Sequence, residues 1–378
     1  MPSVLLLHPS DELYGSDRMV AAVVTALRGR YSCTVVLPRD GALGDLVRAA
    51  GAEVVVEPLP VLRKALLTPR GLAGFLAGAP GALLRIARLV RRLRPDVCYV
   101  NTVTIPLALL ACRLAGRPVV CHVHEAERDA PAAVALALTA PLLLAHRVVA
   151  ISAASADFAA GRLPVLRRRT TVVLNAVEPP AAPDPLPAER PRPLRLLQIG
   201  RWSERKGTDV AVAALAEARR RGVDAELDVV GGAFPGYEWF EERIRKQART
   251  LGVVDEVRFR PFVDDPAPVY AAAHVVVVAS RTEPFGLVAV EGMLHGRVVL
   301  GSDVDGLAEV LADAPASWRF PPGSASGLAD RIVEVDGDWA RAVEEASRAR
   351  AVALRRFGPD RFSRELLAVL DGVLAHSG

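Results

Sequence analysis

Ser280-Arg281-Thr282-Glu283-Pro284-Phe285-Gly286-Leu287-Val288-Ala289-Val290-Glu291-Gly292 directly follows the apolar run at 274–279. The four valines 275–278 predict a strand buried on both faces. The Pro/Gly turn after it predicts a helix that begins near Leu287. In an open parallel sheet, ligands bind just beyond the carboxyl ends of the strands. A helix starting there offers its first N–H groups to an anion, most often a phosphate. Glu283 stands in the turn and Glu291 about one turn inside the helix. Carboxylates beside a phosphate repel it unless they face hydroxyl-rich parts of the ligand. A diphosphate flanked by two sugars meets that demand.

Working outward, strand and helix signals alternate along the whole chain. Strands are predicted at 4–8, 34–37, 53–57, 97–100, 119–123, 148–151 and 171–174, with helices near 16–28, 43–50, 81–94 and 105–115. A very apolar stretch, 131–145, reads as a core helix. After a Pro-rich break, strands are predicted at 194–199, 225–230, 257–260, 275–279 and 298–301. Helices follow at 208–221, 237–251, 266–273, 287–295, 307–312 and 360–375. This alternation calls for right-handed, doubly wound parallel sheets. The chain of 378 residues is too long for one ordinary core. The expected division is a first Rossmann-like domain over 1–180, a linker over 181–193 and a second Rossmann-like domain over 194–358. A closing helix over 359–378 is expected to pack back on the first domain. The cleft between domains is the default ligand site.

Composition narrows the class. Apolar residues make up 51% and aromatics only 5%, so Ala, Val and Leu build the interior. Net charge is +4, yet residues 1–180 carry 21 Lys/Arg against 13 Asp/Glu. A basic first half suits an anionic glycan, a lipid diphosphate or a membrane surface; scattered solvated arginines are the competing reading. Residues 60–94 hold eight of these cations (Arg63, Lys64, Arg70, Arg85, Arg88, Arg91, Arg92, Arg94) and no acid. Peripheral contact with an anionic membrane or a lipid-linked acceptor is one reading of this stretch, and a solvated helix packed on the sheet is the other. No uninterrupted run of about 20 apolar residues is present, and no spanning helix is expected. The N-terminus lacks a basic start and a cleavage site. The four cysteines (Cys33, Cys98, Cys112, Cys121) have no metal spacing and read as reduced thiols in the cytoplasm.

Three more turns bear chemistry. Gly200-Arg201-Trp202-Ser203-Glu204-Arg205-Lys206-Gly207 leads from a strand into the helix at Thr208. Its glycine spacing is not that of a P-loop. Lys206 is one of three lysines in the chain, and a compact ammonium suits a single diphosphate oxygen. Val119-Val120-Cys121-His122-Val123-His124-Glu125 ends another strand. Two histidines two apart point the same way, but no third ligand has metal spacing. His124 is expected to reach the cleft and donate to a sugar hydroxyl or a developing charge. Leu13-Tyr14-Gly15-Ser16-Asp17 puts small residues after the first strand, where a ligand can approach backbone closely.

In this order, with Val149-Ala150-Ile151-Ser152, Val173-Leu174-Asn175-Ala176-Val177 and Gly231-Gly232, the motifs resemble the retaining GT-B glycosyltransferases of family 4, the glycosyltransferase group 1. The two glutamates with seven residues between them, and Pro-Phe-Gly after the first, are the most specific element. The resemblance implies a metal-independent hexosyltransferase that uses a nucleotide-diphosphate sugar and no cofactor. Its acceptor would be a glycan, a lipid-linked or a small molecule, bound by the first domain, with no role for nucleic acid. Arg201 and Lys206 would hold the diphosphate, helped by N–H groups of Phe285, Gly286 and Leu287. Glu283 would contact the transferred sugar and Glu291 the ribose. Gly15 and Ser16 would approach the phosphates, and His124 would touch the sugar beside the reacting carbon. Gly292 stands where the family usually has alanine. Asp303-Val304-Asp305-Gly306 stands where it often has a paired glycine turn. A nucleotide-sugar 2-epimerase and a silent sugar-nucleotide sensor are the competing functions.

Overall fold

A computed structural model of the protein describes every residue except 13–14, 63–67, 128–129, 234–235, 316–317 and 376–378, and leaves the side chains of Ser16 and Pro69 undescribed. The chain divides into two compact units, Met1–Ala176 with Pro359–Gly378, and Val177–Gly358. In the first, strands β1 (Ser3–Leu7), β2 (Ser32–Leu37), β3 (Glu53–Val56), β4 (Val97–Val100), β5 (Val119–Val123), β6 (Arg147–Ala150) and β7 (Thr170–Val172) form one sheet. Its order is β3-β2-β1-β4-β5-β6-β7 and every pairing is parallel. In the second, β8 (Leu194–Arg201), β9 (Ala225–Gly232), β10 (Val257–Arg260), β11 (Val275–Val278), β12 (Val298–Ser302) and β13 (Arg319–Phe320) run in the order β10-β9-β8-β11-β12-β13, again all parallel.

Both orders reverse direction beside the first strand of the unit, between β1 and β4 and between β8 and β11. That reversal leaves a crevice at the carboxyl ends of the two strands, because the helices that follow them pack on opposite faces. β4, β5 and β11 are buried at every position, as strands covered on both faces must be.

The final helix, Pro359–Ala375, belongs to the first unit. Phe362, Leu366, Leu370 and Val373 recur at helical spacing and form its buried face. Asp371 accepts hydrogen bonds from the Tyr31 hydroxyl (2.5 Å) and from Arg30 (3.1 Å), and Arg361 donates to the Leu174 and Asn175 carbonyls. The Pro-rich stretch 179–193 holds no regular element, yet it is tied to the second unit. Arg190 pairs with Asp336 (2.7 Å), Trp339 Nε1 donates to the Pro187 carbonyl (2.9 Å), and Arg297 donates to the Asp184 carbonyl.

Several elements differ from the sequence-based expectation. The helix predicted over 81–94 is Pro69–Leu93, with Pro80 inside it. A proline ordinarily starts a helix, so 81 was the natural boundary. Arg70–Leu93 is, among the described residues, the one helix long and apolar enough to cross a membrane by length and composition. No such helix was expected, because Pro80 and the arginines from Arg85 onward break the apolar run. Ala82, Ile86, Ala87, Leu89 and Val90 of its second half are buried in the first unit's core, so that half serves as a packed core helix. Helices Ala153–Ala160, Ala325–Gly337 and Trp339–Arg356 had not been read from the sequence. The stretch 131–145 holds the helix Ala132–Thr139 and a 3₁₀ turn over Ala140–Leu144.

Candidate functional site

The second unit's crevice is built by two turns locked together. The turn after β8 is capped by Ser203, whose Oγ accepts from the Lys206 N–H (3.3 Å), and ends at Gly207 with φ +65°. A Cβ on Gly207 would lie 1.8 Å from the Ala279 carbonyl oxygen; the turn is pressed against the end of β11, and only glycine allows it. Arg281, just past β11, donates its backbone N–H to the Arg205 carbonyl (2.8 Å) and its guanidinium to the Glu204 carbonyl (2.6 Å). The same guanidinium grips Asp209 through both oxygens, at 2.8 and 2.7 Å. Gln198 Nε2 fixes the Lys206 carbonyl (2.9 Å). Gln198, Gly200, Arg201, Lys206, Thr208 and Ser280 line the cavity between the turns.

Into this frame come the side chains the sequence singled out. Lys206 Nζ donates to Glu283 Oε2 at 2.5 Å, and Ser280 Oγ donates to the same oxygen at 2.9 Å. Glu283 is buried. Burial alone would raise its pKa, but Lys206, then Arg205, and the hydrogen bonds from Lys206 and Ser280 outweigh it. The carboxyl therefore sits below its ordinary range. Gly286, at φ +105°, turns the chain into the helix Leu287–Leu294. The first N–H groups of that helix have no intrahelical acceptor, and Val288 of its first turn lines the same cavity. The Phe285 ring is buried edge-on against Phe357 (5.8 Å), so this residue can offer a ligand only its backbone.

The turn that departs from the family pattern backs this site. Asp305 has φ +44°, a left-handed conformation that Asp tolerates better than most residues. Its Oδ2 accepts from the Glu283 N–H (3.2 Å), while the Gly306 N–H donates to the Glu283 carbonyl (3.0 Å). A Cβ on Gly306 would lie 2.0 Å from the Pro284 carbonyl oxygen. Asp305-Gly306 thus keeps the left-handed turn and the close approach that a glycine pair would supply.

Glu291 accepts a hydrogen bond from the Tyr270 hydroxyl at 2.5 Å. Tyr270 is fully buried and stacks on His295, with ring centroids 4.8 Å apart. Tyr270, Ser280 and Arg281 with Asp209 were missed by sequence reasoning, and Asp305 was read only as part of a departure from the family's turn. Only Arg281 and Asp305, charges inside tight turns, left a signal there.

The remaining candidates belong to the first unit. Gly15 opens the helix Gly15–Leu27 and is exposed. Leu13 and Tyr14 lie outside the described residues, as do the side chain of Ser16 and the cations Arg63 and Lys64. His124 follows β5 and is half-buried; its backbone N–H donates to Glu125 Oε2 (2.9 Å) and its Nε2 lies 3.1 Å from Asn101 Oδ1. Burial, with His122 and His8 nearby, holds its pKa well below the ordinary histidine value. His122 is fully buried, with Nδ1 2.8 Å from the Tyr99 hydroxyl, and burial lowers its pKa to about 3. Among the described residues no group of three or more His, Cys, Asp or Glu is arranged to hold a metal ion.

The chain is similar to known proteins. The family model for glycosyl transferases group 1 matches residues 193–338, and the glycosyltransferase family 4 model matches 14–179. The chain is 32% identical to glycogen synthase of Mycobacterium tuberculosis over 184 residues, 48% of this chain and 43% of that one. It is 30% identical to phosphatidyl-myo-inositol mannosyltransferase of Mycolicibacterium smegmatis over 254 residues, 64% of this chain and 62% of the relative. The chain thus spans less than two thirds of the length of these relatives. The crystal structure of Anabaena HepE in complex with UDP and glucose matches with a TM-score of 0.82 at 22% identity, covering 98% of this chain and 100% of that one. Two parallel-sheet α/β units of seven and six strands are the GT-B fold class.

Proposed function

Because the chain belongs to the group 1 and family 4 glycosyltransferases, we propose that it is a retaining, metal-independent hexosyltransferase. It takes the hexosyl group from a nucleotide-diphosphate sugar and passes it to a glycan, a lipid-linked or a small-molecule acceptor. The observation that carries this reading is the convergence of Arg201, Lys206 and the amino end of Leu287–Leu294 on one cavity at the β8–β11 reversal. Three sources of positive potential at one point suit a diphosphate.

In the reaction, the bond between the sugar's anomeric carbon and the diphosphate oxygen breaks, and the acceptor oxygen bonds to that carbon on the same face. Negative charge builds on the leaving diphosphate. Arg201, Lys206 and the N–H groups of Phe285, Gly286 and Leu287 stabilise it; loss of a single such donor costs about 3 kcal/mol in oxyanion sites. The leaving phosphate oxygen accepts the acceptor's proton, so no separate base is required. Glu283, already ionised, orients sugar hydroxyls, and Glu291 the ribose. Gly15 and Ser16 approach the phosphates, and His124 touches the sugar.

The test is incubation with UDP-, GDP- and ADP-hexoses in EDTA, with the anomeric configuration of the product read by NMR. Transfer with retained configuration supports the reading. An epimer formed without acceptor, or nucleotide binding without transfer or hydrolysis, replaces it with the epimerase or the sensor.

A lipid-linked acceptor is favoured by the first half of Pro69–Leu93. Leu72 and Leu76 are 48% and 60% exposed there, on a helix whose later turns carry Arg88, Arg91 and Arg92. Apolar side chains beside cations suit the interface of an anionic membrane. A mannosyltransferase acting on phosphatidyl-myo-inositol among the relatives agrees with it. Four buried, free cysteines suit a cytoplasmic setting, at the inner membrane face. Flotation with anionic liposomes tests the contact; absence of salt-sensitive binding ends it.

A further inference from the structure

His8, Asn101 and His124 are brought together because they follow three neighbouring strands. His8 comes directly after β1, Asn101 directly after β4, and His124 directly after β5. The register sets Leu7 beside Val100 and Val100 beside Cys121, so His8 and Asn101 are neighbours along the carboxyl edge of the sheet, and His124, two residues beyond the position level with Asn101, reaches back to it. Asp17, from the helix that follows β1, closes the row.

The hydrogen bonds form one continuous chain. Asp17 Oδ1 lies 2.9 Å from His8 Nε2, His8 Nδ1 lies 3.1 Å from Asn101 Nδ2, and Asn101 Oδ1 lies 3.1 Å from His124 Nε2. Asp17, His8 and Asn101 are all buried. The direction of donation follows from the acid at the end. Asp17 Oδ1 is the acceptor, so His8 carries a proton on Nε2, and the Asn101 Nδ2 amide that faces His8 Nδ1 can only donate. His8 Nδ1 is then an acceptor, and the same amide turns Oδ1 toward His124. His124 must therefore carry its proton on Nε2. Its Nδ1 keeps a lone pair that no described residue engages.

We infer that Asp17, His8 and Asn101 are positioning residues that hold His124 as the Nε2–H tautomer, with Nδ1 presented as an acceptor for a hydroxyl of the donor sugar. The last clause rests on the proposed contact between His124 and the sugar. A neutral imidazole with a fixed lone pair accepts from a hydroxyl and adds no charge of its own. In the other tautomer Nδ1 would be a donor and the same hydroxyl would have to rotate away. Burial keeps His124 in the neutral form that this role requires.

The test reads the tautomer without substrate. Full-length protein labelled with ¹⁵N-histidine is examined by long-range ¹H–¹⁵N correlation at pH 7.5, with the His124 signals assigned by their loss in His124→Gln. Wild type should show His124 as Nε2–H. In Asp17→Asn the new amide can donate to His8, which permits the whole row to reverse, so roughly a tenth or more of His124 should carry its proton on Nδ1. Transfer by this variant should fall in kcat in proportion to the fraction of His124 protonated on Nδ1, with donor KM within about twofold. If Asp17→Asn does not fold, Asn101→Ala carries the comparison and should release the same mixture. Wild-type His124 protonated on Nδ1, or variants with an unchanged tautomer, would overturn the proposal. Should the tautomer hold while His124→Gln transfers at the wild-type rate, the relay is supported and the sugar contact is what fails.

Discussion

Lys206 Nζ lies 2.5 Å from Glu283 Oε2, across turns that follow β8 and β11 and stand 77 residues apart in the chain. The carboxylate is buried and stays ionised because the ammonium is there. The ammonium in turn is held at the cavity wall rather than left to sample solvent. Each charge fixes the other before any ligand arrives, which is the preorganisation that electrostatic catalysis needs.

Removing one partner should therefore cost more than charge. Lys206→Ala should lower kcat/KM about 100-fold, the order lost with one oxyanion donor. It should also destabilise the second unit by about 3 kcal/mol, since an unpaired carboxylate is left buried. Adding Glu283→Gln should restore part of that stability and none of the activity. Urea unfolding and donor kinetics on wild type and the two variants check this; a double variant no more stable than Lys206→Ala contradicts it.

Tyr270→Phe isolates a second pair. The ring keeps its stacking on His295, and the hydroxyl's hydrogen bond to Glu291 is lost. If Glu291 holds the ribose, donor KM should rise about fivefold, near 1 kcal/mol, with kcat changed less than about twofold. Steady-state kinetics at saturating acceptor decide it.

Backbone demands separate two glycines of the same conformation. Gly29 has φ +79° with nothing within 4 Å of an added Cβ, whereas at Gly207 the Cβ would meet the Ala279 carbonyl at 1.8 Å. Gly29→Ala should cost about 1 kcal/mol, the left-handed penalty alone. Gly207→Ala should cost about 3 kcal/mol or more and abolish donor binding with it. Similar losses in the two variants would refute the close approach of the two turns.

Acid should weaken the first unit through His122. Its folded-state pKa is about 3 against an ordinary 6.5, so below pH 6.5 the unfolded chain binds a proton that the folded one refuses. The corresponding stability is complete above pH 6.5 and is lost as pH falls toward 3, about 2 kcal/mol of it by pH 5. Unfolding free energies at pH 7 and pH 5 should show the drop, and His122→Gln should flatten it.

The sequence disclosed the sheets because buried parallel strands are written in short valine and leucine runs, as at 97–100 and 275–278. It disclosed Lys206 and Glu283 because charges in a Pro/Gly turn after such a run have few structural reasons to be there. It hid Tyr270 and Asn101, whose neighbours look like ordinary core or loop residues and whose partners arrive from other strands. It also hid the first turns of Pro69–Leu93, where Pro80 reads as a stop. The solvent-facing helix Trp339–Arg356 escaped because its dense charges mask a buried alanine stripe, Ala342, Ala346, Ala349 and Ala353.

The most direct test is calorimetric titration of UDP, GDP and ADP into the full-length protein in EDTA. The account predicts that at least one binds without any divalent ion, and that Lys206→Ala and Arg201→Ala each weaken it by about tenfold or more. Binding only when metal is added, or equal affinity in wild type and both variants, would contradict it.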